Sequence, residues 1–410
     1  MTATSIRHPH PVVFMLLCIP FGASGGYATV TLAYQLSQSG VGVGAIAALV
    51  AMNVFPQTYK VLWAPIVDTT LSSKTWYLIS AFVTAATIGA MGFIHPDAKG
   101  VALLTALVFA NSAAVSFLAM GAENLMANAT RPDEKGRAGG WYQAGNLGGA
   151  GIGGGAALWI AQHSPIVWLP AVAMAILFLV CCCALFFLDE PSKEHRQLHY
   201  LHTLKGLALD VWNTAKSRVG FLALLICFLP IGAGSASGLW AAVAGDWHAT
   251  ADTVALVNGV MGGVVSLIGC IIGGYLCDRM DRKFAYLLFG IFLSVAALAM
   301  AAMARTQTMF IVFTLLYAFV QGLNYASFSA VVLEAIGGGA AATKYNLYAS
   351  LSNMPITYMT LVDGWGYERW HDNGLLLTDA FAGFIGVAIF AAVAAGTVRW
   401  TSRPRPISAT

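Results

Sequence analysis

Apolar residues in this chain come in blocks rather than alternating with polar ones. The blocks are about as long as the ~18–20 residues that carry a helix across a bilayer. Twelve can be read, over roughly 11–37, 42–66, 76–94, 101–127, 138–161, 165–188, 219–243, 253–277, 284–303, 308–334, 345–363 and 375–398. Runs of this length exceed any ordinary strand, so the pattern predicts helices. A longer polar stretch, 189–218, parts the first six blocks from the last six. In it Leu198, Leu201, Leu204, Leu207, Leu209 and Trp212 recur among Lys and His residues. That spacing predicts an amphipathic helix lying on the membrane surface. The expected architecture is an all-α membrane protein with twelve transmembrane helices. It divides into a six-helix half (1–188), a linker (189–218) and a second six-helix half (219–410).

Composition agrees with the pattern. The chain is 58% hydrophobic and 10% charged, where soluble domains carry roughly a quarter charged residues. The net charge of +3 is small and implies no nucleic-acid partner; its placement is more informative. Seventeen of the 21 Lys and Arg fall in the tails and the loops on the termini's side, three fall in loops on the other side, and Lys60 lies within a block. Positive charge gathers on the cytoplasmic face of membrane proteins, so both termini are expected in the cytoplasm. The first block is too long for a signal-peptide core. Seven Cys are scattered, three of them adjacent at Cys181, Cys182 and Cys183. Adjacent helical residues diverge in direction, so neither a metal site nor a disulfide framework is expected.

The two halves echo each other. Pro20, Gly22 and Ala23 correspond to Pro230, Gly232 and Ala233 at an offset of 210; Asp68 corresponds to Asp278 at the same offset, and Glu123 to Glu334 at 211. Between the eighth and ninth blocks stands Gly274-Tyr275-Leu276-Cys277-Asp278-Arg279-Met280-Asp281-Arg282-Lys283. Its spacing, G-x-L-x-D-R-x-x-R-K, resembles the loop of the major facilitator superfamily between helices 2 and 3, which recurs between helices 8 and 9. Asp281 replaces a second Gly of that pattern. The resemblance implies two six-helix pseudo-repeats with a substrate near the midplane. It also implies a gating latch of Asp68, Asp278, Arg279, Arg282 and Lys283, whose pairs form with neighbouring helix ends in the outward-facing state.

Polar groups at membrane depth are expensive and therefore informative. In the second block Asn53, Gln57 and Lys60 share one helix face. Lys60 either binds an anionic group of the solute or snorkels past Trp63 to the surface; Asp68 is eight residues away, about 12 Å along a helix. Ser112, Ser116 and Glu123 share a face of the fourth block. Glu123 either loads and releases a proton or serves as a structural partner of Lys60. Its repeat mate Glu334 lies nearer the surface, where coupling competes with a structural or gating role. Gln321, Asn324, Tyr325 and Phe328 share a face of the tenth block and suit a polar organic ligand. Tyr345, Asn346, Tyr348, Asn353 and Tyr27 are further candidates. No His lies in a block, so proton transfer falls to carboxylates. His195, His199 and His202 have helical spacing on the linker, which reads first as a solvated face. Gly149-Ala150-Gly151-Ile152-Gly153-Gly154 satisfies G-x-G-x-x-G but sits inside an apolar block without a βαβ unit, so it predicts close helix packing. No phosphate loop, metal cluster or nucleophile–base pair is legible, which excludes an enzyme and a cofactor.

Tyr59-Lys60-Val61-Leu62-Trp63-Ala64-Pro65-Ile66-Val67-Asp68 resembles the helix 2 signature of the AmpG muropeptide permease and acetyl-CoA transporter group. Ala342-Thr343-Lys344-Tyr345-Asn346-Leu347-Tyr348-Ala349-Ser350-Leu351 is similar to that group's start of helix 11. The fourth block departs, with Gly121-Ala122-Glu123-Asn124 where the group carries Asp-Ala-Tyr-Arg. The resemblance implies a monomeric, proton-coupled importer of a bulky polar anionic solute in the bacterial inner membrane. Siderophore import, acyl-CoA import and export of drugs or metabolites remain alternatives.

Overall fold

The computed structural model describes residues 9–130, 135–189, 205–206, 209, 212–213, 215–277, 279–336 and 347–401. Among them run twelve helical passes. They are α1 (Val12–Gln38), α2 (Val43–Thr69), α3 (Ser73–Met91), α4 (Val101–Ala129), α5 (135–163), α6 (Leu169–Phe187), α7 (218–247), α8 (Ala251–Cys277), α9 (Arg282–Ala301), α10 (Gln307–Ile336), α11 (Asn353–Trp370) and α12 (Gly374–Thr401). Most of the 189–218 linker, including His195, His199 and His202, lies outside the described residues, as do Tyr345 and Asn346.

Eight passes are long and apolar enough to cross a membrane by length and composition alone. The other four are α3, α5, α7 and α11. α5 is diluted by glycine, and α7 is interrupted. α11 carries Asn353, Asp363 and Glu368. The sequence pattern ends this last helix at Asp363, whereas the helix continues to Trp370. Asp363 is fully buried and hydrogen-bonded, so a polar residue that reads as a terminus lies inside the pass.

Local chemistry starts several helices. Ser72, Ser217, Thr250 and Asp281 are N-caps whose side-chain oxygens accept the backbone N–H groups of Thr75, Gly220, Thr253 and Phe284 at 3.1, 3.0, 3.3 and 2.9 Å. Large apolar side chains such as Phe82, Ile176, Phe186, Ile271 and Phe381 point outward. On a membrane-spanning bundle these face lipid, where no hydrophobic penalty attaches to exposure.

The glycines of α5 pack helices together. A Cβ on Gly149 would stand 2.4 Å from the Ile19 carbonyl oxygen, and one on Gly153 would stand 1.9 Å from that of Ala23. Only hydrogen fits, so α1 and α5 touch backbone to backbone. Three passes widen locally into π-helix, at Tyr27–Leu32, Ile152–Ala156 and Ala255–Met261. Thr31 Oγ1 donates to the Gly153 and Gly154 carbonyls at 2.8 and 3.2 Å, satisfying groups that the π turn loosens. The second and third π segments meet between the halves, where a Cβ on Gly259 would be 2.6 Å from Gly155 Cα.

The halves are drawn together on the side away from the termini. There Ser37 Oγ donates to Ala242 O at 2.5 Å, and the Gly44 N–H donates to Glu368 Oε1 at 3.0 Å. Within the C-terminal half on the same side, Tyr367 OH donates to Asp246 Oδ2 at 2.9 Å, and Arg305 stacks over Trp247 at 4.1 Å. Deeper in, the Thr58 and Thr357 hydroxyls approach to 3.4 Å.

Gly153→Val is expected to lower stability by about 1–3 kcal/mol, as overpacking does. Gly148, with open space around its Cβ position, is expected to respond oppositely. Gly148→Ala should gain about 0.5–1 kcal/mol from backbone entropy. Thermal unfolding of the two purified variants in one detergent checks both signs.

Candidate functional site

The two polar stripes foreseen on α2 and α4 face each other. Ser112 Oγ donates to Asn53 O at 2.5 Å, and Gln57 Nε2 donates to Ser112 O at 3.2 Å. Trp63 Nε1 donates to Ser116 Oγ at 3.2 Å. Lys60 Nζ lies 3.8 Å from Glu123 Oε1, and Tyr142 on α5 donates to the same oxygen at 3.5 Å. Stripe pairing follows from the apolar setting, where a polar helix face has only another polar face or a cavity to satisfy it. Lys60 is thus directed toward Glu123. At an effective dielectric near 20 the direct attraction of such a pair is about 4 kcal/mol, much of it offset by desolvation. What the pair secures is position: a cation and a carboxylate held at the terminal-side end of the stripe.

Next to this ladder, toward the far side, lies a cavity of about 250 Å³ lined by Asn53, Gln57, Ser112, Asn146 and Asn258 among others. A second, of about 270 Å³, shares Thr29, Val30 and Asn258 with it and adds Ser235, Trp240, Thr314, Gln321 and Tyr325. Both draw residues from the two halves and lie between them. A smaller one, of about 60 Å³, holds Asn324 and Tyr325 beside Gly232 and Asn353.

The C-terminal side of these cavities depends on a break in α7. Its helix stops at Ile226 and resumes at Ser235. Gly232 and Gly234 take φ of +62° and +68°, a region that suits glycine. Asn324 and Gln321 pack onto that bare backbone: a Cβ on Gly232 would meet Asn324 Oδ1 at 2.4 Å, and one on Gly234 would meet Gln321 Nε2 at 2.1 Å. Gln321 Nε2 donates to Tyr325 OH at 3.3 Å.

Several buried polar atoms on these walls have no hydrogen-bond partner among the described residues. They are Gln57 Oε1, both amide atoms of Asn258 and of Asn324, Trp240 Nε1 and Thr314 Oγ1. Buried polar groups are nearly always paired in folded proteins. A concentration of unpaired donors and acceptors around connected space is what a polar solute would satisfy.

Of the residues singled out from sequence, Asn53, Gln57, Gln321, Asn324 and Tyr325 line these cavities, and Lys60 and Glu123 pair beside them. Tyr27 does not join them. It is buried on another side of α1, against a separate crevice with Gln35, Met91 and Val167. The π turn that begins at Tyr27 sits in a helix packed on several sides, so membrane depth alone did not give its direction. Asp278 and the side chains of Asp68 and Glu334 lie outside the described residues. Arg279 stacks on Tyr275 at 4.0 Å and donates to its hydroxyl, while Arg282 and Lys283 open α9. Asn258, Ser235, Trp240, Asp363 and Asp379 were not foreseen. A polar residue inside an apolar block was the available signal for Asn258 and Asp379.

Residues 12–360 match the sequence model of the Major Facilitator Superfamily. The chain belongs to that superfamily and has its multi-pass, twelve-helix membrane fold. It is 24% identical over 330 residues to an anhydromuropeptide permease of Escherichia coli K12, a match covering 76% of this chain and 65% of the permease. The chain thus spans just under two thirds of that relative's length. The fold is similar to the xylose transporter XylE from E. coli in a partially occluded inward-open conformation, with a TM-score of 0.70 at 12% identity over 98% of this chain and 99% of that one. It is also similar to the nucleoside transporter NupG, with a TM-score of 0.68 at 14% identity over 95% and 98% of the two chains.

A double-mutant cycle on Lys60→Ala and Glu123→Ala is expected to show coupling of about 0.5–3 kcal/mol, because each single variant leaves the other charge unpaired. Thermal unfolding of the four proteins measures it. Strict additivity would remove the pair from the account.

Proposed function

We propose that this chain is a proton-coupled importer of a bulky, polar, anionic organic solute of the muropeptide kind, working by alternating access between its two six-helix halves. The observation that carries this reading is the Lys60–Glu123 pair at 3.8 Å, at one end of a polar stripe that lines the cavity. A carboxylate or phosphate on the solute would compete with Glu123 for Lys60. A proton on Glu123 would release Lys60 to that anion. Solute binding and proton binding then favour each other, as linkage requires of coupled sites.

The remaining parts follow the same scheme. Asn53, Gln57, Gln321, Asn324 and Tyr325 would hold amide and hydroxyl groups of the solute. Glu334 is assigned to proton coupling with Glu123. Asp68, Asp278, Arg279, Arg282 and Lys283 form the latch that closes the terminal side when the far side opens. The excess of Lys and Arg supports a cytoplasmic terminal side, and the resemblance to a bacterial permease supports the inner membrane as the site of action. The relative's printed name, anhydromuropeptide permease, supports the solute class.

Uptake of labelled anhydromuropeptide into right-side-out vesicles is expected to be abolished by a protonophore and absent from inverted controls. Lys60→Ala should abolish it while the protein still inserts and melts cooperatively. Glu123→Gln should lose accumulation driven by a proton gradient. Protonophore-resistant uptake would overturn the coupling. Absence of uptake by folded wild-type protein would redirect the substrate to siderophores, acyl-CoA compounds or exported solutes.

A further inference from the structure

The C-terminal half contains a second carboxyl site that the scheme above does not use. Asp363 on α11 and Asp379 on α12 are both buried, at 0% and 8% exposure. Between them stands Ser235, at the point where α7 resumes. Its Oγ is 2.7 Å from Asp363 Oδ2 and 3.1 Å from Asp379 Oδ1. Tyr317 of α10 donates to Asp379 Oδ2 at 2.7 Å, and the backbone N–H of Ala236 reaches the same carboxyl. Thr378 Oγ1 lies within donating distance of Asp363 Oδ1 at 3.2 Å and of the Gly374 and Leu375 carbonyls at 2.8 and 2.9 Å. These groups from α7, α10, α11 and α12 are the titratable and polar neighbours. Among the described residues no Lys, Arg or His pairs with either aspartate.

Hydrogen-bond arithmetic constrains the charge. A serine hydroxyl has one hydrogen to donate. With it directed to Asp363 at 2.7 Å, a proton on Asp379 would turn the longer 3.1 Å contact with the Ser235 oxygen into a second full hydrogen bond. Two ionised carboxylates here would place two negative charges across one hydroxyl, buried and without a cation, an arrangement that low-dielectric surroundings oppose.

A separate observation ties the cluster to the transport cavity. Ser235 lines the cavity of about 270 Å³, together with Trp240 and Thr314. Trp240 Nε1 and Thr314 Oγ1 are polar groups of residues 2% and 3% exposed, and neither has a partner among the described residues. Trp240 packs edge-on against Tyr317 at 5.3 Å, so the cavity wall and the carboxyl pair share a contact. We infer that Asp363 and Asp379 hold one exchangeable proton between them across Ser235, forming a proton-loading site in the C-terminal half that communicates with the solute cavity through the Ser235 hydroxyl. The proton moves between a carboxyl oxygen and the hydroxyl without any change of oxidation state. Its use in transport rests on the proton-coupled reading above; its presence does not.

The test is infrared difference spectroscopy of the purified full-length protein in lipid nanodiscs during a pH titration. A protonated-carboxyl band is expected in the wild type, retained in Glu123→Gln and lost in both Asp363→Asn and Asp379→Asn. Asp379→Glu should restore it. Ser235→Ala, which keeps both carboxyls, should shift the band and the pH at which it titrates. This variant and Asp379→Glu provide the reading if the amide variants fail to fold. No such band in the wild type, or a band unmoved by every variant at Asp363, Asp379 and Ser235, overturns the site. In vesicles, Asp379→Asn should bring accumulation of labelled anhydromuropeptide down to the equilibrated level. A wild-type band that behaves as expected, with uptake indifferent to a protonophore, supports the proton site and overturns the proton-coupled reading alone.

Discussion

A hydrogen-bonding or charged group carried into an apolar slab needs a partner within the protein, because neither lipid nor an aliphatic core supplies one. Most of what is distinctive in this bundle follows from that requirement. Polar residues on α2 meet polar residues on α4. Asn111, deep in α4, donates to Thr84 O and Thr87 Oγ1, both at 2.9 Å, and accepts from Ser24. The aspartates of α11 and α12 are met by Ser235 and Tyr317. The unpaired atoms of Gln57, Asn258, Trp240 and Thr314 cluster around the cavities between the halves, and those of Asn324 face the smaller cavity within the C-terminal half.

The second requirement is close approach. Without a hydrophobic drive between helices in lipid, small residues let backbones touch. α5 is the extreme case, meeting α1 through Gly149 and Gly153 and α8 through Gly155. Its π segment and that of α8 lie against one another at the seam between halves. A seam of glycine and widened helix has little side-chain interdigitation to break. Its tight contacts, together with the Gly44–Glu368 and Ser37–Ala242 hydrogen bonds, bring the halves together on the far side.

The halves repeat in sequence but not in local conformation. Pro20 and Gly22 lie within continuous helix in α1, whereas their mates Pro230 and Gly232 lie where α7 unwinds. The difference puts bare backbone beside Gln321 and Asn324 and brings Ser235 to the carboxyl pair. One half carries an ion pair near the terminal side, the other a buried acid pair near the far side. Charge chemistry is therefore distributed asymmetrically on a nearly symmetric frame.

Much of the frame was legible in the residues. Block length gave the twelve passes, because bilayer thickness and backbone desolvation act on local pattern alone, and the 210-residue offset pointed to two repeated halves. Helical periodicity placed Asn53, Gln57 and Lys60 on one face and Ser112, Ser116 and Glu123 on another. Periodicity fixes a face relative to its own helix, not the direction of that face in the bundle. So Tyr27 and Asn53 looked equivalent, yet one packs into a side crevice and the other lines the cavity. Asp363 read as a helix end until its partner Ser235, far off in sequence, was seen beside it. Packing between helices set those directions and meetings, because they depend on contacts between residues that no local pattern relates.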